Sequence, residues 1–258
     1  GSRAGTGQFL ARALALVPPD SHHAGRLLAT YGRDLGLHES EYQGAQEAFH
    51  RAMVIAQREG DTVLEMRALV NAAHVDLFHL RFQEGMEKSL KAIELARSSD
   101  DPYTETRAHY WLAVTLARIG DVDGMAQHAA ATLPPAEQLR DHFYLAIAFF
   151  INSTSYRLKG AWLAARDFSD RGLAVSPLDY LNLSNRLVLE YEVGDFGQGE
   201  VYLVRLLEVM RSTAPGPTLI HSLGAMAILL VARITGVITH FEVAEAAARS
   251  VLSSTSAS

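Results

Sequence analysis

The chain has no cysteine, which excludes disulfides, thiolate nucleophiles and cysteine-ligated metal. No segment of useful length alternates apolar and polar residues, so no strands are expected. Neither charge sign is in large excess. A net charge of −6 supplies no basic field for nucleic acid or an anionic membrane, and direct nucleic-acid binding is not expected. An uninterrupted apolar span is also missing. The longest candidate, Thr218 to Ile238, is broken by His221 and Arg233, and Gly236 reads as a helix stop. Phe143 to Ile151 is too short to span a bilayer. Both are expected to be buried helices, with no membrane as partner. No basic-then-apolar leader opens the chain, which makes a cytoplasmic location the expectation. The sequons at Asn152 and Asn182 are then chance matches. Lysine is scarce beside arginine, which fits a GC-rich bacterial genome.

The signatures of catalysis are absent too. There is no HExxH, no His-x3-His, no GxSxG and no GxxxxGK[ST]. His74 and His79 are five apart and fall on different faces of a helix. Asp121-Val122-Asp123-Gly124 opens like a calcium loop, but no acidic twelfth ligand follows. Asp195-Phe196-Gly197 stands without the other kinase motifs. No enzyme, no cofactor and no metal site are expected.

What is present is a repeat. Ser40 to Ala56, SEYQGAQEAFHRAMVIA, recurs about 40 residues on as LRFQEGMEKSLKAIELA, Leu80 to Ala96. Tyr42 aligns with Phe82, Ala45 with Gly85, Ala52 with Ala92. The same frame reaches Val122 and Met125, then Trp162 and Ala165, then Phe196 and Gly199. A fixed period of this size means stacked copies of one supersecondary unit. Apolar residues recur at helical spacing, as in Phe82, Met86, Leu90 and Ile93. Such a helix pair has a face that only a neighbouring pair can cover.

The punctuation divides the chain into a half repeat over 8–17 and helix pairs over 20–60, 61–99, 101–133, 137–176 and 177–213. A last pair spans 217–252, and a polar tail, 253–258, is expected to fray. Asp20 or Ser21 caps the second helix, and Ser40 to Gln43 reads as a capping box. Gly60, Gly120, Gly160 and Gly194 read as stops, with Asp61, Asp121 and Asp195 as the next caps. Pro134-Pro135 reads as a terminator, and the next helix is expected over Glu137 to Leu158. The expected fold is all-α: a right-handed α-solenoid of about five to six stacked antiparallel helix pairs.

These features resemble tetratricopeptide repeats, whose pattern is a small residue, a Gly-Asp turn, an aromatic, and two further small residues. The second unit gives Ala73, Phe82, Gly85 and Ala92. The fourth gives Ser153, Gly160, Trp162, Ala165 and Gly172. Met125, Thr132 and Leu206 depart from the pattern. The spacing of about 40 residues is similar to repeats in large bacterial signalling ATPases, including LuxR-type regulators and nucleotide cyclases with ATPase modules. The resemblance implies a sensor or docking arm. A beginning in half a pair and a polar end are expected of a fragment of such a protein.

In that family the first helix of each pair lines a concave groove. The resemblance therefore points to Arg67, Asn71, His74 and Phe78, then Arg107, Tyr110, Trp111 and Val114. Ile147, Phe150, Ile151 and Thr154 follow in the next pair. Some members clamp a C-terminal carboxylate with bases and asparagines here. Trp111, Ile147 and Ile151 leave that clamp incomplete. An aromatic, mildly basic groove for a helical or extended peptide is the expectation. The competing structural reading is that several of these aromatics pack between units. A rival function is small-molecule sensing that regulates an attached ATPase or output domain. The apolar last pair suggests a second copy of the chain as a further partner.

Overall fold

The computed structural model describes residues 4–38, 41–96, 98–213 and 219–252, with side chains from 6 onward and not at 219 or 250–252. Every regular element among them is a helix. Contacts divide the chain into two compact units, Gly1–Leu139 and Arg140–Ser258.

The first unit contains α1 (Ala4–Ala15), α2 (His22–His38), α3 (Tyr42–Glu59), α4 (Thr62–Phe78), α5 (Phe82–Ala96), α6 (Pro102–Ile119), α7 (Val122–Ala131) and α8 (Leu133–Leu139). Helices pair as α2 with α3, α4 with α5 and α6 with α7. The first helices also pack on one another, α2 on α4 and α4 on α6. Close approach depends on small residues. At Gly36 an added Cβ would lie 2.4 Å from Val75, so any side chain there would force the two helices or Val75 to shift. Ala45, Phe49, Ala72 and Val75 form one fully buried cluster.

The second unit contains α9 (His142–Leu158), α10 (Trp162–Val175), α11 (Tyr180–Glu192), α12 (Phe196–Ser212), α13 (Leu219–Thr235) and α14 (Ile238–Leu252). α9 pairs with α10, α11 with α12 and α13 with α14, and α11 packs on both α9 and α13. Its core gathers Leu183, Leu187, Leu206, Ile228 and Val231. Gly199 lets the ring of Tyr191 come to 2.4 Å of where a Cβ would stand.

Four of the joints inside pairs share one geometry. At Gly120 the N–H bonds Ala117 O at 3.3 Å, and that of Asp121 reaches back to Leu116 O at 2.9 Å. The same two bonds recur at Gly160-Ala161 and Gly194-Asp195. This is the left-handed helix ending that satisfies orphan carbonyls. Leu80 occupies the equivalent place with φ +58, a conformation costing a non-glycine residue about 1–2 kcal/mol. Asp61, Asp121 and Asp195 then cap α4, α7 and α12 through Leu64, Gly124 and Gln198, a contribution of about 1 kcal/mol each.

Four expectations are corrected. Ser40 lies outside the described residues, but the N-cap of α3 is Glu41, which makes no side-chain cap bond. Pro134 and Pro135 do not end an element. They sit in the first turn of α8, where a missing N–H costs nothing. The helix expected from Glu137 is broken, because Arg140 turns left-handed at φ +53. Asp141 then caps α9 through Phe143 and Tyr144. The helix expected from Pro177 starts instead at Tyr180, capped by Asp179. Met125, Thr132 and Leu206, which are larger than the pattern's small residues, are all fully buried.

Candidate functional site

The first unit carries a cleft of about 360 Å³ between α2, α4 and α6. Its walls include Arg26 and Arg33 of α2, Arg67 and Asn71 of α4, and Tyr103 and Arg107 of α6. No carboxylate lines it. Helical spacing explains the gathering: residues four and seven apart return to one face, and the three first helices turn that face to a common opening. A smaller cleft of about 200 Å³ shares Arg26, Leu64 and Arg67 and adds His22 and Asp61.

Each charge has a distinct setting. Arg67 reaches Asp101 at 3.3 Å. Asp101 is already committed, accepting from the backbone and hydroxyl of Thr104 as the cap of α6. Arg107 is buried and donates to Asn71 Oδ1 at 2.8 Å, while Asn71 Nδ2 donates to Ala29 O at 2.9 Å. The guanidinium groups of Arg67 and Arg107 stand 5.9 and 5.4 Å from the Tyr103 ring. Arg26 and Arg33 have no acidic partner among the described residues; the ion pairs lie elsewhere. Asp61 on the rim is also occupied, by the Leu64 backbone and by His22. Burial pushes its carboxyl up, but those two donors outweigh burial and hold it below the usual carboxylate range.

Beside the cleft, His74 stacks on Trp111 with ring centroids 3.6 Å apart. Phe78 and Tyr110 meet this pair edge-on. Both ring nitrogens of His74 and Nε1 of Trp111 are buried with no hydrogen-bond partner. Burial, then the charges of Arg107, Arg33 and His38, hold His74 well below its ordinary pKa. It is a neutral ring in a cationic field.

The expected residues are thus distributed as follows. Arg67, Asn71 and Arg107 line the cleft. His74, Phe78, Tyr110 and Trp111 form the aromatic cluster next to it, with Tyr110 buried and Phe78 exposed. Ile151 is buried and Phe150 half-buried in α9 of the second unit, and neither is among the cleft's lining residues. Arg26, Thr30 and Arg33 escaped sequence reasoning. Their signal was there: they stand 41 positions before Arg67, Asn71 and His74, so extending the register one pair back finds all three.

Among the described residues, no group of three or more His, Asp or Glu could hold a metal ion. No described helix is long and apolar enough to cross a membrane. No family model matches the chain, and no curated protein is significantly similar to it.

Proposed function

We propose that the chain is a non-catalytic binding module, and that the α2–α4–α6 cleft takes an acidic segment of a partner protein. The observation that carries this is the absence of any lining carboxylate among four arginines. Arginine's planar fork suits carboxylates, and an unpaired guanidinium has attraction left to offer. The cleft is only partly enclosed and is lined from three successive first helices, which suits an extended chain crossing several helices better than an enclosed metabolite.

The architecture behind this reading is a right-handed α-solenoid of tetratricopeptide type, with about five to six helix pairs along the chain. Its support is the single joint geometry that returns at Leu80, Gly120, Gly160 and Gly194. The resemblance extends the proposal to a cytoplasmic sensor or scaffold segment of a larger bacterial signalling or transcription regulator. Self-association is a second reading at the last pair, favoured by one observation. Met226, Leu229, Leu230, Ile234 and Ile238 make an exposed apolar strip of the kind that marks contact surfaces.

The test is fluorescence anisotropy with an end-capped glutamate-rich peptide and its glutamine counterpart. The acidic peptide is expected to bind, to weaken steeply with added salt, and to lose about tenfold in affinity to Arg33→Ala with helicity unchanged. Equal binding of both peptides would reject the reading. A melting rise with anionic metabolites and none with peptides would favour the small-molecule rival.

A further inference from the structure

The last helix pair of the second unit turns an apolar face to water. In α13 Met226, Leu229, Leu230, Arg233 and Ile234 are exposed. They recur at helical spacing as one stripe, and only one of them is charged. An inner helix shows what these positions do elsewhere. Counted back from the joint glycines Gly194 and Gly236, Leu229, Leu230 and Arg233 stand where α11 has Leu187, Val188 and Tyr191, all buried. The neighbours account for the difference. α11 packs on the first helices of two other pairs, α9 and α13, whereas α13, among the described residues, packs on one, α11. On α14 the exposed positions Ile238, Phe241, Glu242 and Glu245 share one face by the same spacing, half of it apolar and half acidic. Glu245 is taken by Arg249, and His240 faces Glu200. Arg233 and Glu242 have no ion-pair partner among the described residues, so each pair carries one unanswered charge of either sign.

We propose that this face docks a second copy of the chain, with α13 of one copy lying on α14 of the other, so that two hairpins close into a four-helix bundle. This rests on, and sharpens, the reading of the last pair as a self-association surface. Area favours a second copy. The stripe, with Val237, Ile238 and Phe241, offers roughly 600 Å² of apolar surface, the upper end of what a monomer ordinarily exposes. Two copies together bury about 1,200 Å², where specific interfaces begin. Charge selects the crossing. α13 on α13 sets Arg233 against Arg233, and α14 on α14 sets acid against acid, like-charge contacts that cost affinity. α13 on α14 matches apolar residues and sets Arg233 opposite Glu242. The levels agree when the two-fold axis runs along the helices. Arg233 stands two residues before the end of α13 and Glu242 four after the start of α14, a difference of about 3 Å along the axis. Two-fold symmetry repeats the contact, so each dimer gains the ion pair twice.

Sedimentation equilibrium of the chain decides the matter. Copies of 28.2 kDa are expected to associate into a species of twice that mass, with a Kd on the order of 10 μM. Leu230→Glu, at an exposed position, is expected to weaken association about 100-fold with helicity unchanged. Arg233→Glu and Glu242→Arg are each expected to weaken it about tenfold. The double variant, in which the two charges are exchanged, is expected to return to within about twofold of wild type. Dimers that ignore the charge variants, or single losses that merely add in the double variant, overturn the α13-on-α14 contact and leave self-association standing. A mass that keeps growing beyond two copies indicates a head-to-tail contact and overturns the two-fold arrangement. A single-copy mass up to about 200 μM removes the self-association reading and this inference with it, and leaves the arginine cleft untouched.

Discussion

Both units gather arginines at their helix contacts, yet the two gatherings do opposite things. In the second unit Arg157, Arg166 and Arg186 are answered. Arg166 forks onto Glu190, Arg186 bonds Glu190 and Asp170, and Arg157 bonds Glu192 at 2.7 Å and Asn185 at 2.9 Å. Glu190 is fully buried, so Arg166 and Arg186 neutralise a charge that water cannot reach. In the first unit Arg26 and Arg33 face an opening without a carboxylate. The first unit has buried acids too: the slot at Asp76 is filled by Lys88, Tyr42 and Gln46, and Asp101 takes Arg67 alone of the cleft arginines. An arginine's meaning is set by what stands opposite it. Where the acid comes from the next helix the pair holds the stack together. Where none comes, the site is left for a ligand.

The sharpest test of that contrast is stability. Arg186→Ala leaves Glu190 underpaired in a buried setting and is expected to cost about 3–5 kcal/mol in urea unfolding. Arg26→Ala and Arg33→Ala are expected to stay within about 0.5 kcal/mol of wild type. Similar losses in the two units would dissolve the distinction.

Acidification tests the first unit next. His109 and His128 face each other with Nδ1 atoms 3.0 Å apart. Burial and His128 hold His109 down at about 4, and burial, opposed by Asp121, lowers His128. Folded-state values below the ordinary 6.5 mean that the unfolded chain takes up protons first. Their contribution to stability is therefore intact above about pH 6.5 and is lost as pH falls toward 4. Thermal melts between pH 7 and pH 4.5 are expected to record a loss on the order of 2 kcal/mol, with a flatter profile for His109→Gln. An unchanged slope in that variant would remove this pair as the cause.

The smallest effect concerns the joints. Gly160 and Gly194 serve the second unit, whereas Leu80 takes the same left-handed turn in the first, 73% exposed. Leu80→Gly relieves backbone strain but adds freedom to the unfolded chain. The balance is a gain of about 0.5 kcal/mol, measurable as a small rise in urea midpoint; a loss would show that Leu80 is not strained there.

Much of this architecture was legible beforehand, because it is written in local rules. A glycine that turns left-handed and an aspartate that caps the following helix act within a few residues of themselves, so Gly120-Asp121 and Gly194-Asp195 could be read directly. Arg140 could not. Its positive φ has no side-chain signature, and Asp141 looks like any other acid in a polar stretch. The site was half legible. Helical spacing put Arg67 and Asn71 on one face of one helix, the resemblance added Arg107 from the next pair, and extending that register one pair back would have supplied Arg26 and Arg33.

By itself, the order of residues determined that the chain is helical, where most helices start and stop, and which faces turn together, since capping, turn chemistry and periodicity are short-range. Only the tertiary structure decided which arginines are spent and which are free. Pairing between Arg166 and Glu190 spans 24 positions, and the lack of an acid in the α2–α4–α6 cleft is a property of three helices at once. Charge neutralisation depends on distance in space, and that is fixed only when the helices have packed.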